Sequence, residues 1–231
     1  MRKEQLVQTL EEQLRTVKAE RQSAMRDPAL LAARTALKQF QSARLAASHA
    51  DLLAAPDSGD AALFFLDELY GAHDLGQRDA DLERIIPTLQ RVLPLDALQA
   101  ITEAIVLDAL SERLDTAMAR ALGERFDQAG YLAAYRATAP DERERQLALV
   151  QALGESLCAL VKVPFLSATL GLMRGPARLA GLGELQRFLE RGFGAFKKMK
   201  QAARFVDTIV GRERRVMHNI YAGAAEPFAP D

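Results

Sequence analysis

The chain has 231 residues, a single cysteine and a net charge of −1. That length suits one sizeable domain, and one cysteine excludes an intramolecular disulfide. Hydrophobic residues make up 49% and charged residues 26%, a balance that excludes a disordered chain. The opening MRKEQLVQTLEEQLRTVKAE mixes acids and bases and lacks the continuous apolar core of a secretion signal. A reducing, cytoplasmic setting is therefore expected. Cys158 in LCALV reads as a buried thiol rather than a reactive one.

In chain order, Leu6, Leu10, Leu14 and Val17 recur at helical spacing and predict an amphipathic first helix, residues 1–25, as a semi-detached element. Asp27 followed by Pro28 supplies a cap and a first-turn proline for a second helix that should reach about Ala54. Leu30, Leu37, Leu45 and Leu52 should contribute to its buried side, with Phe40 nearby. The loop APDSGD follows, and Asp60 is the expected cap of a helix over Ala61 to Tyr70. A loop GAHDLGQ precedes a helix through DADLERIIPTLQRVL, in which Pro87 should cause a kink or a break because an interior proline costs about 3 kcal/mol.

The most regular helix is expected from about Leu95 to Leu122, then a short one over Tyr131 to Ala137, and a longer one from Pro140 to Val163. The apolar run Leu157 to Met173 is interrupted by Lys162, Pro164, Ser167 and Thr169 and is too short to span a membrane, so it is assigned to the interior. RGPARLAGLG predicts a turn with one short helix. A long helical segment should fill Glu184 to Tyr221, where Gly192 and Gly194 either interrupt the helix or permit close packing. Residues 223–231 form an expected loose tail. No β-alternation of useful length occurs, so the expected fold is all-α: a single-domain bundle of about seven to nine helices across residues 1–231.

The charge is uneven: Asp57 to Glu155 holds 19 acidic and 9 basic residues, and Arg174 to His218 holds 11 basic and 4 acidic residues. Such halves suit mutual attraction within one fold or between subunits. Three stretches stand out chemically. In FFLDELYG and the following AHD, apolar residues surround the helix, which makes Asp67, Glu68, Tyr70, His73 and Asp74 either a polar exit from a core helix or the lining of a pocket. In VLDALSERLDTAM, Asp108, Glu112 and Asp115 share one side at about 100° per residue. They read as a solvated stripe, an internal ion-pair network compensated by a C-terminal arginine, or a cation site. In the basic C-terminal region, Arg187 and Arg191 share a face among interspersed acids, a salt-bridged surface rather than a nucleic-acid stripe. Phe188, Phe193, Phe196 and Phe205 suit core packing better than a membrane-facing set.

No Glu-x-x-His or His-Glu-x-x-His occurs, and His49, His73 and His218 are dispersed, so no metal or cofactor is expected. There is no Gly-x-Ser-x-Gly elbow and no phosphate-binding glycine loop. FFLDELYG with the downstream Arg78-Asp79, then LDALSERLD, then LMRGPARLAGLGELQRFLERGFGAF resembles an uncharacterised all-helical family of Gram-negative bacteria. The resemblance covers most of the chain beyond about residue 25 and implies no activity, cofactor or partner. The leading functional expectation is a non-catalytic helical interaction or regulatory protein with a protein partner or self-association, such as a dimer, that salt weakens. The alternative is a helical enzyme or small-ligand binder with a carboxylate-lined pocket. Nucleic-acid binding and peripheral membrane contact are disfavoured.

Overall fold

The computed structural model describes residues 2–70 and 76–229. Among them are twelve helices and no strand, more helices than the seven to nine expected. They are α1 (Lys3–Arg26), α2 (Pro28–Ser48), α3 (Ala50–Ala54), α4 (Gly59–Tyr70), α5 (Gly76–Val92), α6 (Leu95–Leu122), α7 (Gln128–Arg136), α8 (Pro140–Leu160), α9 (Leu166–Leu172), α10 (Arg174–Leu179), α11 (Gly183–Lys198) and α12 (Ala202–Tyr221). The surplus arises where one expected helix becomes two, and from α9, a short helix after Pro164. The second helix breaks at His49, where ψ is 25°, giving α2 and α3. The last long segment breaks at Met199, whose backbone is extended, rather than at Gly192 or Gly194. Conversely, α5 runs through Pro87 without a break.

Asp27 caps α2 as expected, its carboxylate accepting from the amides of Ala29 and Leu30 at 3.1 and 3.2 Å. Asp60 does not cap α4; it lies inside the first turn and pairs with Lys198 at 2.7 Å. Asp127 accepts from the Gly130 amide at 2.8 Å, which starts α7 earlier than apolar periodicity suggested.

α6 is the axis of the molecule. α1 runs parallel to it, with Lys3 Nζ donating to the Leu93 carbonyl at 2.6 Å just before α6 and Arg21 beside Glu112 farther along. Against an expected semi-detached first helix, Leu6, Leu10, Leu14 and Val17 are fully buried, packed with Leu82, Ile86, Leu98 and Ile105 of α5 and α6. α2 crosses α6, with Arg34 and Lys38 both reaching Glu112 and Gln41 reaching Asp115, and closes a second core of Leu30, Leu37, Met118, Tyr131, Val216 and Ile220. A third core joins α4, α11 and α12 through Phe64, Phe196, Phe205 and Val210, with Leu157 and Cys158 of α8 beside it. Phe196 and Phe205 are thus interior, as expected, and Phe188 packs against this core. Burial raises the Cys158 thiol pKa above its ordinary value.

Close helix packing depends on two glycines. A Cβ on Gly192 would meet Phe64 Cζ at 2.8 Å, and one on Gly154 would meet both Val206 methyls at 2.6 Å. The carboxyl tail is not loose over its described part: Pro227 is buried and the Phe228 ring lies 6.2 Å from Tyr131. Leu157 to Met173 is not all interior either. α8 stops at Leu160, Phe165 turns the chain with φ of 64°, and α9 and α10 then lie against α11 and each other.

Candidate functional site

On α2, the stripe Leu30, Arg34, Leu37, Gln41, Leu45 follows helical spacing and faces inward, so Arg34 and Gln41 are carried into the interior with the leucines. Arg21 extends the Leu10, Leu14, Val17 stripe of α1 in the same way. α6 presents Asp108, Glu112 and Asp115 to these two helices, and α5 adds Arg78 and Asp79. Four cations (Arg21, Arg34, Lys38, Arg78) therefore meet four carboxylates (Asp79, Asp108, Glu112, Asp115), and the cluster is formally neutral.

Glu112 is the hub and only 3% exposed. Arg34 donates to one carboxylate oxygen, while Arg21 and Lys38 approach the other at 3.2 and 3.3 Å. Arg21 also pairs with Asp79 and reaches Asp108 at 2.9 Å. Arg78 bridges Asp108 and Asp79 at 2.9 and 3.1 Å, and its guanidinium lies 5.1 Å from the Phe188 ring centroid. Asp115 accepts from Gln41 Nε2 at 3.1 Å, and Arg34 donates to Thr116 Oγ1 at 2.9 Å. Burial lowers the pKa of Arg34 and Lys38 below their ordinary values, with Asp115 the strongest opposing influence.

The acidic side of α6 is thus an internal ion-pair network rather than a solvated stripe. Its compensation comes from α1, α2 and α5, not from the C-terminal arginines, because those helices are the ones that cover this face of α6. The C-terminal cations pair elsewhere: Arg212 with Asp51 at 2.6 Å, Arg214 with Glu144 at 2.9 Å, and Arg191 with Asp67 at 3.7 Å. Bidentate hydrogen bonding from Arg212 holds the Asp51 carboxyl at about 2. Asp67 and Arg191 therefore come together on α4 and α11, apart from the α6 carboxylates. Arg187 is exposed and pairs with Glu184 on its own helix. His73 and Asp74 lie outside the described residues, as do the side chains of Glu68 and Tyr70.

A second buried ionic group joins the end of α2 to α12. Glu213 accepts from Arg44 at 2.6 Å and faces His49 Nε2 at 2.9 Å. Burial pushes the Glu213 carboxyl up, but Arg44 and His49 outweigh it, and the net shift is below the ordinary glutamate value. Among the described residues, no group of three or more His, Cys, Asp or Glu side chains is arranged to hold a metal ion. A shallow depression at the α3–α4 corner is lined by Leu53, Pro56, Gly59, Asp60 and Leu63, and by none of the network carboxylates.

The exposed surface has one uneven feature. Of nine exposed large apolar side chains among the described residues, five fall between residues 163 and 179: Val163, Phe165, Leu172, Met173 and Leu179. Sequence reasoning assigned most of this stretch to the interior; Pro164 was the signal that the chain would leave α8 before reaching it. No helix among the described residues is long and apolar enough to cross a membrane.

A protein-family model described as a domain of unknown function (DUF8198) matches residues 20–227. No curated protein and no solved structure matches the chain.

Proposed function

The chain belongs to that DUF8198 family, whose description assigns no activity, and from this premise we propose that it is a non-catalytic helical interaction protein of the cytoplasm. The observation that carries the reading is the concentration of exposed apolar side chains in residues 163–179, which form the turn after α8 and the two short helices α9 and α10 held by α11. Exposed apolar side chains gathered in one stretch of chain mark a candidate docking surface. The charged residues that first suggest chemistry support the same reading. Asp108, Glu112 and Asp115 hydrogen-bond to side chains of the chain itself, which suits a device that fixes the register of α1, α2, α5 and α6. The single cysteine, half-buried Cys158, suits a reducing compartment.

Native mass spectrometry of gently purified protein, with and without Glu112→Gln, tests the reading. Chains whose bound mass does not depend on Glu112 are the expected result. A small molecule or metal retained on each chain and lost on Glu112→Gln would overturn it in favour of a ligand-binding or catalytic carboxylate site.

A further inference from the structure

The exposed stretch from Val163 to Leu179 has a chemistry of its own. Residues 156–183 contain Lys162, Arg174 and Arg178 and no acidic residue. Arg174 is paired with Glu190 at 2.7 Å, whereas Lys162 and Arg178 have no ion-pair partner among the described residues. Lys162 precedes Val163 and Arg178 precedes Leu179, so each unpaired cation adjoins an exposed apolar side chain. The apolar groups stand out as tips: Phe165 is 84% exposed, Leu172 79% and Leu179 92%. Phe165 has φ of 64°, in the left-handed region that non-glycine residues seldom occupy. The backbone is strained where it presents an aromatic ring to solvent.

The base of the segment is fixed while its outer face is uncovered. Ala177 is buried, Gln186 Nε2 donates to the Leu170 carbonyl at 2.6 Å, and Arg84 donates to the Gly181 carbonyl at 3.2 Å. The segment is thus a firmly rooted pair of short helices with an apolar, cationic crest.

We infer that this crest docks the protein onto an anionic lipid surface. The inference rests on the interaction reading and names its partner. Two-fold pairing through this segment would set the cations of one copy against those of the other, with no acid in the segment to separate them. A protein partner would need a concave, acidic receptor for side chains this exposed. An anionic bilayer supplies both requirements at once, because apolar tips enter the boundary between headgroups and acyl chains while lysine and arginine meet lipid phosphates and carboxylates. The cytoplasmic leaflet carries that charge.

The chain has no tryptophan, so Phe165→Trp places a single environment-sensitive reporter on the crest. The full chain is mixed with vesicles of phosphatidylcholine alone or of phosphatidylcholine with phosphatidylserine, and co-sedimentation is measured with the emission. The expected result is a blue shift and binding stronger by on the order of tenfold or more on the anionic vesicles. Both should weaken with salt. Leu172→Ser with Leu179→Ser, or Lys162→Glu with Arg178→Glu, should abolish binding while leaving the urea midpoint unchanged.

Equal binding to both vesicles, or to neither, overturns the inference. Two chains per particle by light scattering, dissociated by the same serine pair, would assign the crest to self-association. Retention on a polyglutamate matrix that the glutamate pair abolishes, without vesicle binding, would assign it to an acidic protein. Either result refutes the lipid surface and leaves the interaction reading standing, whereas a bound mass dependent on Glu112 refutes that reading itself.

Discussion

Glu112 is held by three cations from two helices, and its worth lies in what its removal would expose. Breaking a buried ion pair from one side costs about 3–5 kcal/mol, because the partners left behind stay desolvated and uncompensated. Glu112→Gln would leave Arg21, Arg34 and Lys38 in a cluster with one net positive charge. A urea melt is expected to show a loss in that range. Adding Arg34→Met to the Glu112→Gln chain should recover part of it, as the cluster is again neutral. Glu213 makes the second residue-scale case through pH. Its folded-state pKa lies below the ordinary value, so its contribution to stability is fully present above the ordinary glutamate range and is lost as pH falls through the lower folded value. The urea midpoint should therefore drop on acidification below about pH 4.5, and Glu213→Gln should flatten that part of the profile. An identical acid limb in both proteins would refute the assignment.

Helix ends and helix contacts carry the next level. The turn between α8 and α9 holds Phe165 at positive φ, a conformation that costs a β-carbon residue about 1–2 kcal/mol and that asparagine tolerates better. Phe165→Asn is therefore expected to stabilise the fold by up to about 1 kcal/mol in chemical denaturation, while weakening vesicle binding. A residue that is kept at a cost to stability and lost at a cost to binding is the pattern of a functional site. Where α11 crosses α4, the opposite substitution matters. Gly192→Ala would drive a methyl into the Phe64 ring, and the ring sits among Phe65, Phe188 and Phe196 rather than in open space. Overpacking of this kind costs about 1–3 kcal/mol. Phe64→Leu in the same chain should restore part of the loss; a Gly192→Ala variant as stable as the parent would show that the two helices can separate freely.

For the whole molecule, α6 is central because it meets α1, α2, α7 and α8. The family match starts at residue 20, yet Leu6, Leu10, Leu14 and Val17 are buried before that point. Deleting residues 2–19 would uncover Leu98 and Ile105 on α6 and Leu82 and Ile86 on α5, and circular dichroism should show a broad, early thermal transition in place of a cooperative one. Much of this organisation was legible in the sequence. Apolar residues at helical spacing, Asp27-Pro28 and Pro140 located α1, α2, α6 and α8, because caps and periodicity are local properties of the chain. The network was half legible: Arg21, Arg34 and Gln41 stand at apolar-stripe positions, a signal that they enter the interior, but which acids they would meet depends on α1 and α2 packing on the same face of α6. The tertiary structure alone decided that Asp108, Glu112 and Asp115 are covered, that Asp67 pairs with Arg191, and that residues 163–179 are exposed. A hydrophobic sequence specifies that burial is favourable, whereas the space to bury it exists only where other helices have left room; α11 lies against α9 and α10, and Phe165, Leu172 and Leu179 stay exposed.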